Sequence, residues 1–527
     1  MERKEKVCRE VIENLLRERK LSEKVFMKVL KEVAKKYRLE KLPTKIEILS
    51  FCTPAEKSRL KKVLTTKPSR TISGVTVVTV VAKPAPCPGS CLYCPRGINA
   101  PQSYTGLEPA IQRAIRNDYD PFLQTKDRLN QYKVMGHPSD KIEVIILGGT
   151  FTALSEGYQE WFVKRIFDAL NGVDSETLEE AQRINETAKH RCVGLTIETR
   201  PDFCKEKHVD FMLRLGATRV EIGVQSIYDD VLKFIKRGHT VEDEVEAIRI
   251  ARDAGYKIVL HVMPGLPGSD FKRDIKMFKT LFSDQRFMPD GLKIYPTMVI
   301  EGTELYEMWK RGEYNPLDDE KTIKLLVEIK KLVPPFVRIR RVLRDIPATK
   351  IVAGPKKSNI RELVQKRMKE IGLRCRCIRC REVGHMEMNF GLKPRVEDIK
   401  LVRREYKASG GVEIFLSFED VKRDILIAFL RLRIPSGKAH RKEIKEVDSA
   451  IIREIHTYGY ALEIGKKPKE EWQHRGYGKE LIEEAEDIAK IEFDKKKMVV
   501  ISGVGVRRYF MKNGYKRDGL YVSKLLK

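Results

Sequence analysis

Three cysteines, Cys87, Cys91 and Cys94, fall within the stretch PAPCPGSCLYCPRG at the spacing C-x3-C-x2-C. Two cysteines so placed would suggest a redox disulfide, and four would close a tetrahedral metal site. Three thiolates leave a position open. It is filled either by a distant residue that completes a zinc site or by a ligand on the bare iron of an iron–sulfur cluster. A second triplet, Cys375, Cys377 and Cys380 in RCRCIRCREVGH, has the spacing C-x-C-x2-C. No strand–loop context surrounds it, so it reads as a structural zinc site, its fourth ligand open among His385, His440 and His456. The third constellation is Gln473-x-x-Gly476-x-Gly478, which opens an amphipathic helix in EEWQHRGYGKELIEEAEDIAK. Glycines let a backbone approach an anion, and a helix N-terminus offers unpaired N–H groups and the positive end of a dipole.

The elements that must position these residues alternate in type. VVTVVA, EVIILGG (143–149), VGLTIET (193–199), RVEIGVQ (219–225), KIVLHVMPG (257–265) and GLKIYP (291–296) are six β-branched runs. Helical stretches such as GYQEWFVKRIFDAL and EDEVEAIRIARDAG separate them. Near-continuous apolar strands with crossover helices predict a parallel sheet or incomplete barrel covered on its outside. Polar residues collect at the carboxyl ends of these runs: Gly148-Gly149-Thr150, Glu198-Thr199-Arg200, Gln225-Ser226 and Pro264-Gly265. In such folds that rim assembles a site. The first cysteine triplet follows the first run. The glycine loop, in turn, lies between a strand pattern, IIREIHTYGYALEIG, and VVISGVGVRRYFMKNGYKR.

A chain of 527 residues exceeds what one core organises, so two or three domains are expected. No run of eighteen apolar residues occurs, and the opening MERKEKVCREVIENLL reads as a charged amphipathic helix rather than a secretory signal. A cytoplasmic location and no membrane partner are expected, with the ten cysteines serving as ligands or buried thiols. Charge is the strongest compositional signal, with 103 Lys and Arg against 75 Asp and Glu, net +28. Residues 1–70 carry net +11 and residues 333–381 net +12, together 23 of the 28 excess charges. Such local excess reads as a footprint for a polyanion, nucleic acid above all. In VRIRRVLRD, Arg338, Arg340, Arg341 and Arg344 offer guanidinium forks suited to phosphate oxygens.

Three thiolates at the mouth of a half-barrel resemble the radical S-adenosylmethionine (SAM) superfamily. That resemblance implies a 4Fe-4S cluster on Cys87, Cys91 and Cys94, with SAM against Gly148, Gly149, Thr150, Glu198 and Gln225. The C-terminal order resembles the GNAT acetyltransferase fold. There the loop Trp472, Gln473, His474, Arg475, Gly476 and Gly478 would hold the coenzyme A pyrophosphate, and Glu454, Ile455, His456 and Thr457 would pair with the pantetheine arm. Joined through a Cys-rich linker, the two resemble the Elongator catalytic-subunit family, archaeal branch, from about residue 70 to the end. QSYTGLEPAIQRAIRNDYDPF, ILGGTF, ETRPD, GVQS, RCRCIRCRE, QHRGYG and ISGVGVR are the stretches that carry the likeness. By the same resemblance Lys141 would contact coenzyme A from the barrel side. The last acetyl-CoA motif, usually two tyrosines, has Tyr509 followed by Phe510 here.

What the resemblance implies is an α/β architecture: an incomplete (β/α)6 radical SAM barrel, a mixed α+β GNAT domain, a Cys-rich zinc linker and a basic helical N-terminal region. The expected boundaries are 1–70 for the RNA-binding helices, 71–332 for the barrel, 333–395 for the linker and 396–527 for the acetyl-CoA domain. The implied activity builds 5-carboxymethyluridine at the wobble position of tRNA, with a SAM-derived radical activating the methyl of acetyl-CoA. Its cofactors would be the cluster, SAM, acetyl-CoA as substrate and zinc. Its partners would be the tRNA anticodon stem-loop and an external electron donor, and pairing with a second copy stays open. The alternative is a protein lysine acetyltransferase with a structural cluster, using Glu463 or Glu470 as base. A third class is an RNA-binding scaffold.

Overall fold

The computed structural model describes residues 2–466, 468 and 471–526. Residues 2–64 form four helices, Glu2–Arg17, Glu23–Lys36, Lys45–Ser50 and Pro54–Leu64. Val7, Val11, Ile12 and Leu15 recur at helical spacing and pack on Phe26, Leu30 and Val33 in a core of their own. Thr44 with Glu47, and Thr53 with Glu56, close capping boxes that fix where the short helices begin.

The barrel follows as a sheet of seven parallel strands in sequential order. These are β1 (Thr76–Val81), β2 (Lys141–Leu147), β3 (Arg191–Thr199), β4 (Arg219–Gln225), β5 (Lys257–Val262), β6 (Gly291–Ile294) and β7 (Arg338–Val342). Alternation sorts the side chains. In β2, Ile142, Val144 and Ile146 are buried in the main hydrophobic core, while Glu143, Ile145 and Leu147 face inward and are less covered. The six expected strands are all present, and β7 corrects the count. It lies in the segment expected as linker, where its arginines hide the strand pattern; it pairs Gly291 with Arg338 and extends the sheet beyond residue 332. Gly291 is required there, since a Cβ would lie 2.9 Å from the Arg338 carbonyl oxygen.

A second seven-stranded sheet holds β8 (Ile399–Ala408), β9 (Gly411–Asp420), β10 (Ile425–Ile434), β11 (Ser449–Thr457), β12 (Lys497–Val500), β13 (Lys516–Asp518) and β14 (Tyr521–Leu525). Its order is β8-β9-β10-β11-β12-β14-β13. β11 and β12 run parallel from Ser449↔Lys497 to Ile452↔Val500 and then part, leaving Glu454–Thr457 paired with β10 alone. This sheet is seated on the amino ends of the barrel strands. Ile451, Val499, Ile501, Val504 and Tyr521 belong to the barrel's own core. Arg453 grips Asp290 through two 2.8 Å bonds, and Arg433 meets Asp253 at 2.6 Å. Gly503 allows the close approach, because a Cβ would sit 2.2 Å from the Val193 carbonyl oxygen.

Candidate active site

The loop after β1 crosses the carboxyl ends of the strands, pinned by Leu92 N–H to Ile235 O (3.2 Å) and Leu305 N–H to Leu92 O (2.9 Å). Leu92 and Tyr93 are buried with Val231, Leu232 and Ile235, which turns Cys87, Cys91 and Cys94 onto one cavity of about 440 Å³. The same cavity is lined by Gly149, Thr150, Glu198 and Gln225. The Thr150 hydroxyl lies 3.6 Å from Cys87 Sγ. Gly148 adopts φ +132, and a Cβ there would meet Ala82 Cβ at 3.1 Å, so the turn at the end of β2 admits no side chain. Burial pushes the Cys94 thiol up.

Two residues outside the expected set complete this end. Arg237 places Nη1 3.5 Å from Cys91 Sγ and donates Nη2 to the Gly223 carbonyl. Arg200, held to Asp202 at 2.9 Å, leaves Nη1 buried without a hydrogen bond beside Gly89, where a Cβ would lie 2.0 Å away. Arg200 falls in the rim triplet Glu198-Thr199-Arg200 and was legible as such. Arg237 follows no period and no motif. Gln225 Oε1 is likewise buried without a donor. Three thiols, two guanidinium groups with spare N–H and one spare carbonyl fit an anionic cluster and an amino-acid ligand.

Deeper in, the oxygens of Glu198 and Glu221 and a nitrogen of His261 lie within 4.8 Å of one another. The Lys293 ammonium contacts both carboxylates, 2.5 Å from Glu198, which makes the group an ion-pair cluster. Those carboxylates hold Lys293 above its ordinary value against burial.

The glycine loop meets the barrel. Lys141 Nζ donates to Gln473 Oε1 at 2.7 Å, and Gln473 Nε2 donates to Thr457 O at 3.0 Å. Burial lowers Lys141 to about 8. Gly476, at φ +99, caps the helix Tyr477–Asp487. A Cβ on Gly478 would lie 3.2 Å from the Tyr509 hydroxyl and 3.8 Å from Ile455, so loop, β11 and Tyr509 share one surface. His474 Nδ1 is 3.0 Å from Lys466 O, and the Arg475 guanidinium stacks 4.6 Å over Trp472. Glu454 is tied to Arg431 at 3.0 Å, and His456 bonds Ser73 O at 2.8 Å. Phe510 departs from expectation: it is buried in the sheet core against Tyr515. Of the two candidate bases, Glu463 is a half-buried partner of Lys466 at 2.6 Å, and Glu470 lies outside the described residues.

In the second triplet, the three sulfurs of Cys375, Cys377 and Cys380 lie within 4.8 Å of one another and are buried. This suits a thiolate-bound metal. Hydrogen bonds from Cys375 and Cys380 push the Cys377 thiol down. None of the three proposed histidines joins the group. His440 bonds Asp210 at 2.7 Å and His456 bonds Ser73 O at 2.8 Å, while His385 Nε2 lies 3.2 Å from Glu382 and is buried without a hydrogen bond.

The four arginines separate. Arg340, Arg341 and Arg344 line the 440 Å³ cavity. Arg340 reaches Glu143 at 3.4 Å, Arg341 pairs with Asp345, and Arg344 lies 3.0 Å from the Ser103 hydroxyl. Arg338 does not present itself to a ligand. Its Nη1 meets the fully buried Glu382 at 2.7 Å and the Tyr458 hydroxyl at 3.1 Å, bracing barrel, linker and C-terminal sheet. A buried carboxylate needs its counter-ion, and that need overrides the phosphate role expected from spacing.

This geometry defines a radical SAM protein, and family models agree: Radical SAM superfamily over residues 86–280 and Radical_SAM C-terminal domain over 289–370. An ELP3 N-terminal domain model matches residues 4–72, so the likeness covers the N-terminal helices as well as the chain from about residue 70 onward. The tRNA uridine(34) acetyltransferase of Methanocaldococcus infernus is 54% identical over 535 residues, covering 99% of this chain and 100% of that one. Elongator complex protein 3 of Schizosaccharomyces pombe is 45% identical over 537 residues, covering 99% and 98%. The solved structure of archaeal M. infernus Elp3 lacking residues 1–46 superposes with a TM-score of 0.78 at 54% identity, over 86% of this chain and 100% of that one. The chain belongs to the Elongator complex protein 3 family.

Proposed function

We propose that this protein modifies the wobble uridine of tRNA, building 5-carboxymethyluridine from acetyl-CoA. The observation that carries the reading is a single cavity shared by the three thiols and by Arg340, Arg341 and Arg344, above a floor that adjoins β11. Carbon 5 of uridine does not react with an acetyl methyl, which is no electrophile. A four-iron cluster and SAM, when bound, supply the hydrogen-abstracting radical chemistry that makes that methyl reactive.

The chain's own residues do the rest. Cys87, Cys91 and Cys94 would hold the cluster, with Arg200, Gln225 and the backbone at Gly148-Gly149 presenting donors and an acceptor to SAM. Trp472 to Gly478 and the free edge of Glu454–Thr457 would take acetyl-CoA in the manner of a GNAT domain, with Lys141 and Tyr509 beside it. Arg341 and Arg344 would receive RNA phosphates at the mouth, together with the basic N-terminal helices. Cys375, Cys377 and Cys380 would bind zinc structurally, fixing the segment that follows β7. An external one-electron donor is expected. Among the described residues, no helix is long and apolar enough to cross a membrane.

The test is mass spectrometry of tRNA nucleosides after anaerobic incubation with SAM, acetyl-CoA and dithionite. 5-Carboxymethyluridine at position 34 supports the reading. Unmodified uridine beside acetylated lysine on a bystander protein would move the assignment to lysine acetylation.

A further inference from the structure

Parallel barrels ordinarily fill their interior with layers of branched apolar side chains. In this barrel the lumen carries charge from the rim to the floor. Lys293 bridges Glu198 and Glu221; Glu221 is met by His261 at 3.0 Å and by Arg219 Nε at 3.2 Å; Arg219 pairs with Glu143, and Glu143 with Arg340 at 3.4 Å. Below this layer a second, water-sized cavity of about 10 Å³ is enclosed by Arg219, Lys257 and Arg340 of the barrel and by Glu454 and Arg431 of the other sheet. Arg340 lines both cavities. The site of the cysteines and the parted edge of β11 are therefore separated by one layer of ion-paired side chains, Glu143–Arg219–Arg340.

Stability does not account for such a core, because ions removed from water cost several kcal/mol each and an apolar layer would do as well or better. A layer of long, paired side chains can part and re-pair in a way that interlocked apolar residues cannot. Its polar walls also suit a chain that carries amides and a thioester carbonyl, each needing a hydrogen-bond partner once out of water. From Glu143 to Leu147 the inward face of β2 spans about 13 Å, within reach of an extended pantetheine arm.

Resting on the function proposed above, we infer that the barrel floor at Glu143, Arg219 and Arg340 is the passage through which the acetylated pantetheine arm of acetyl-CoA enters. The acetyl methyl then meets the reacting centre from below, while the uridine arrives from the cluster side. Each substrate has its own entrance, and neither has to pass the other. With SAM bound and cleaved by one electron from dithionite, a C–H bond of the methyl would break and its hydrogen would pass to the 5′ carbon of the deoxyadenosyl group, so deuterium on the methyl would mark each arrival.

Val77 lines the lower part of the main cavity and lies beside Glu143 in the β1–β2 register. Val77→Trp would block the passage without touching the glycine loop or the cysteines. With trideuteroacetyl-CoA, SAM, tRNA and dithionite, the wild type should give deuterated deoxyadenosine. In Val77→Trp that label should fall about a hundredfold, the cost of keeping the methyl an ångström or more from its target. Affinity for adenosine 3′,5′-bisphosphate, the part of coenzyme A that the glycine loop would hold, and SAM cleavage without acetyl-CoA should stay within about twofold, because the glycine loop, the cysteines and Gly148–Thr150 are unaltered. Val77→Phe, read by the same three measurements, replaces it should the tryptophan variant not fold. Full label transfer in a folded variant would overturn the passage, whereas no label in the wild type would overturn the proposed function itself.

Discussion

Arg237 gives one N–H to Cys91 and one to the backbone of Gly223, and among the described residues no carboxylate is a hydrogen-bond partner. A donor on a cluster thiolate favours the more negative, reduced state. Arg237→Met should therefore lower the cluster's midpoint potential while iron content stays near wild type, as read by a redox titration followed by EPR. A potential unmoved by the substitution would make Arg237 a packing residue. Lys141 supplies a pH effect. Burial favours its neutral form, so in the free protein it titrates near 8 where an exposed lysine titrates at 10.5. Between those values the unfolded chain holds a proton that the folded chain has released, and stability rises with pH across that window. An anionic diphosphate beside Lys141 would favour the ammonium. Coenzyme A affinity should then fall as pH rises through about 8, and binding above it should take up a proton that Lys141→Met does not. Calorimetry in buffers of different ionisation enthalpy counts that proton.

β7 shows why an element can be present and unread. Its sequence, Arg338-Ile339-Arg340-Arg341-Val342, lacks an apolar run because the side chains that would be apolar in another barrel are lumen charges. Arg338→Ala would strip the counter-ion from the buried Glu382 and should cost about 3 kcal/mol of folding stability, measured as a shift in denaturation midpoint. Its tRNA salt dependence should stay unchanged. The helix Arg507–Lys512 gives the complementary case. Tyr509 points to Gly478 and Phe510 to the sheet core. Phe510→Ala should destabilise by about 3–5 kcal/mol yet leave acetyl-CoA affinity intact in the folded fraction, a split that would fail if Phe510 touched the ligand.

Across the molecule, arginines serve in two ways. Arg431, Arg433 and Arg453 are buried and knit the two sheets together, while Arg341 and Arg344 line the cavity. On partly single-stranded RNA each phosphate contact contributes about 0.7 to the log-log salt slope, so the pair Arg341→Ala, Arg344→Ala should flatten it by about 1.4 units. An unchanged slope would place the RNA on the N-terminal helices alone.

The three constellations were legible without coordinates, because a metal, an anion or a backbone turn demands particular residue types at short, local spacing. Six barrel strands and their polar rim were legible too, since β-branched runs between amphipathic helices admit few other folds. What sequence could not separate was the purpose of charges brought together over long sequence distances. Arg338 looked like its neighbours until Glu382, 44 residues away, claimed it. The histidines looked like zinc ligands, yet none of the three groups with the cysteine sulfurs, and His440 and His456 bond Asp210 and Ser73 instead. Arg237, 146 residues from Cys91, carried no local signal at all. Local chemistry is written in adjacent letters. Which ion finds which counter-ion is decided where the chain excludes water and leaves each buried charge one partner within reach.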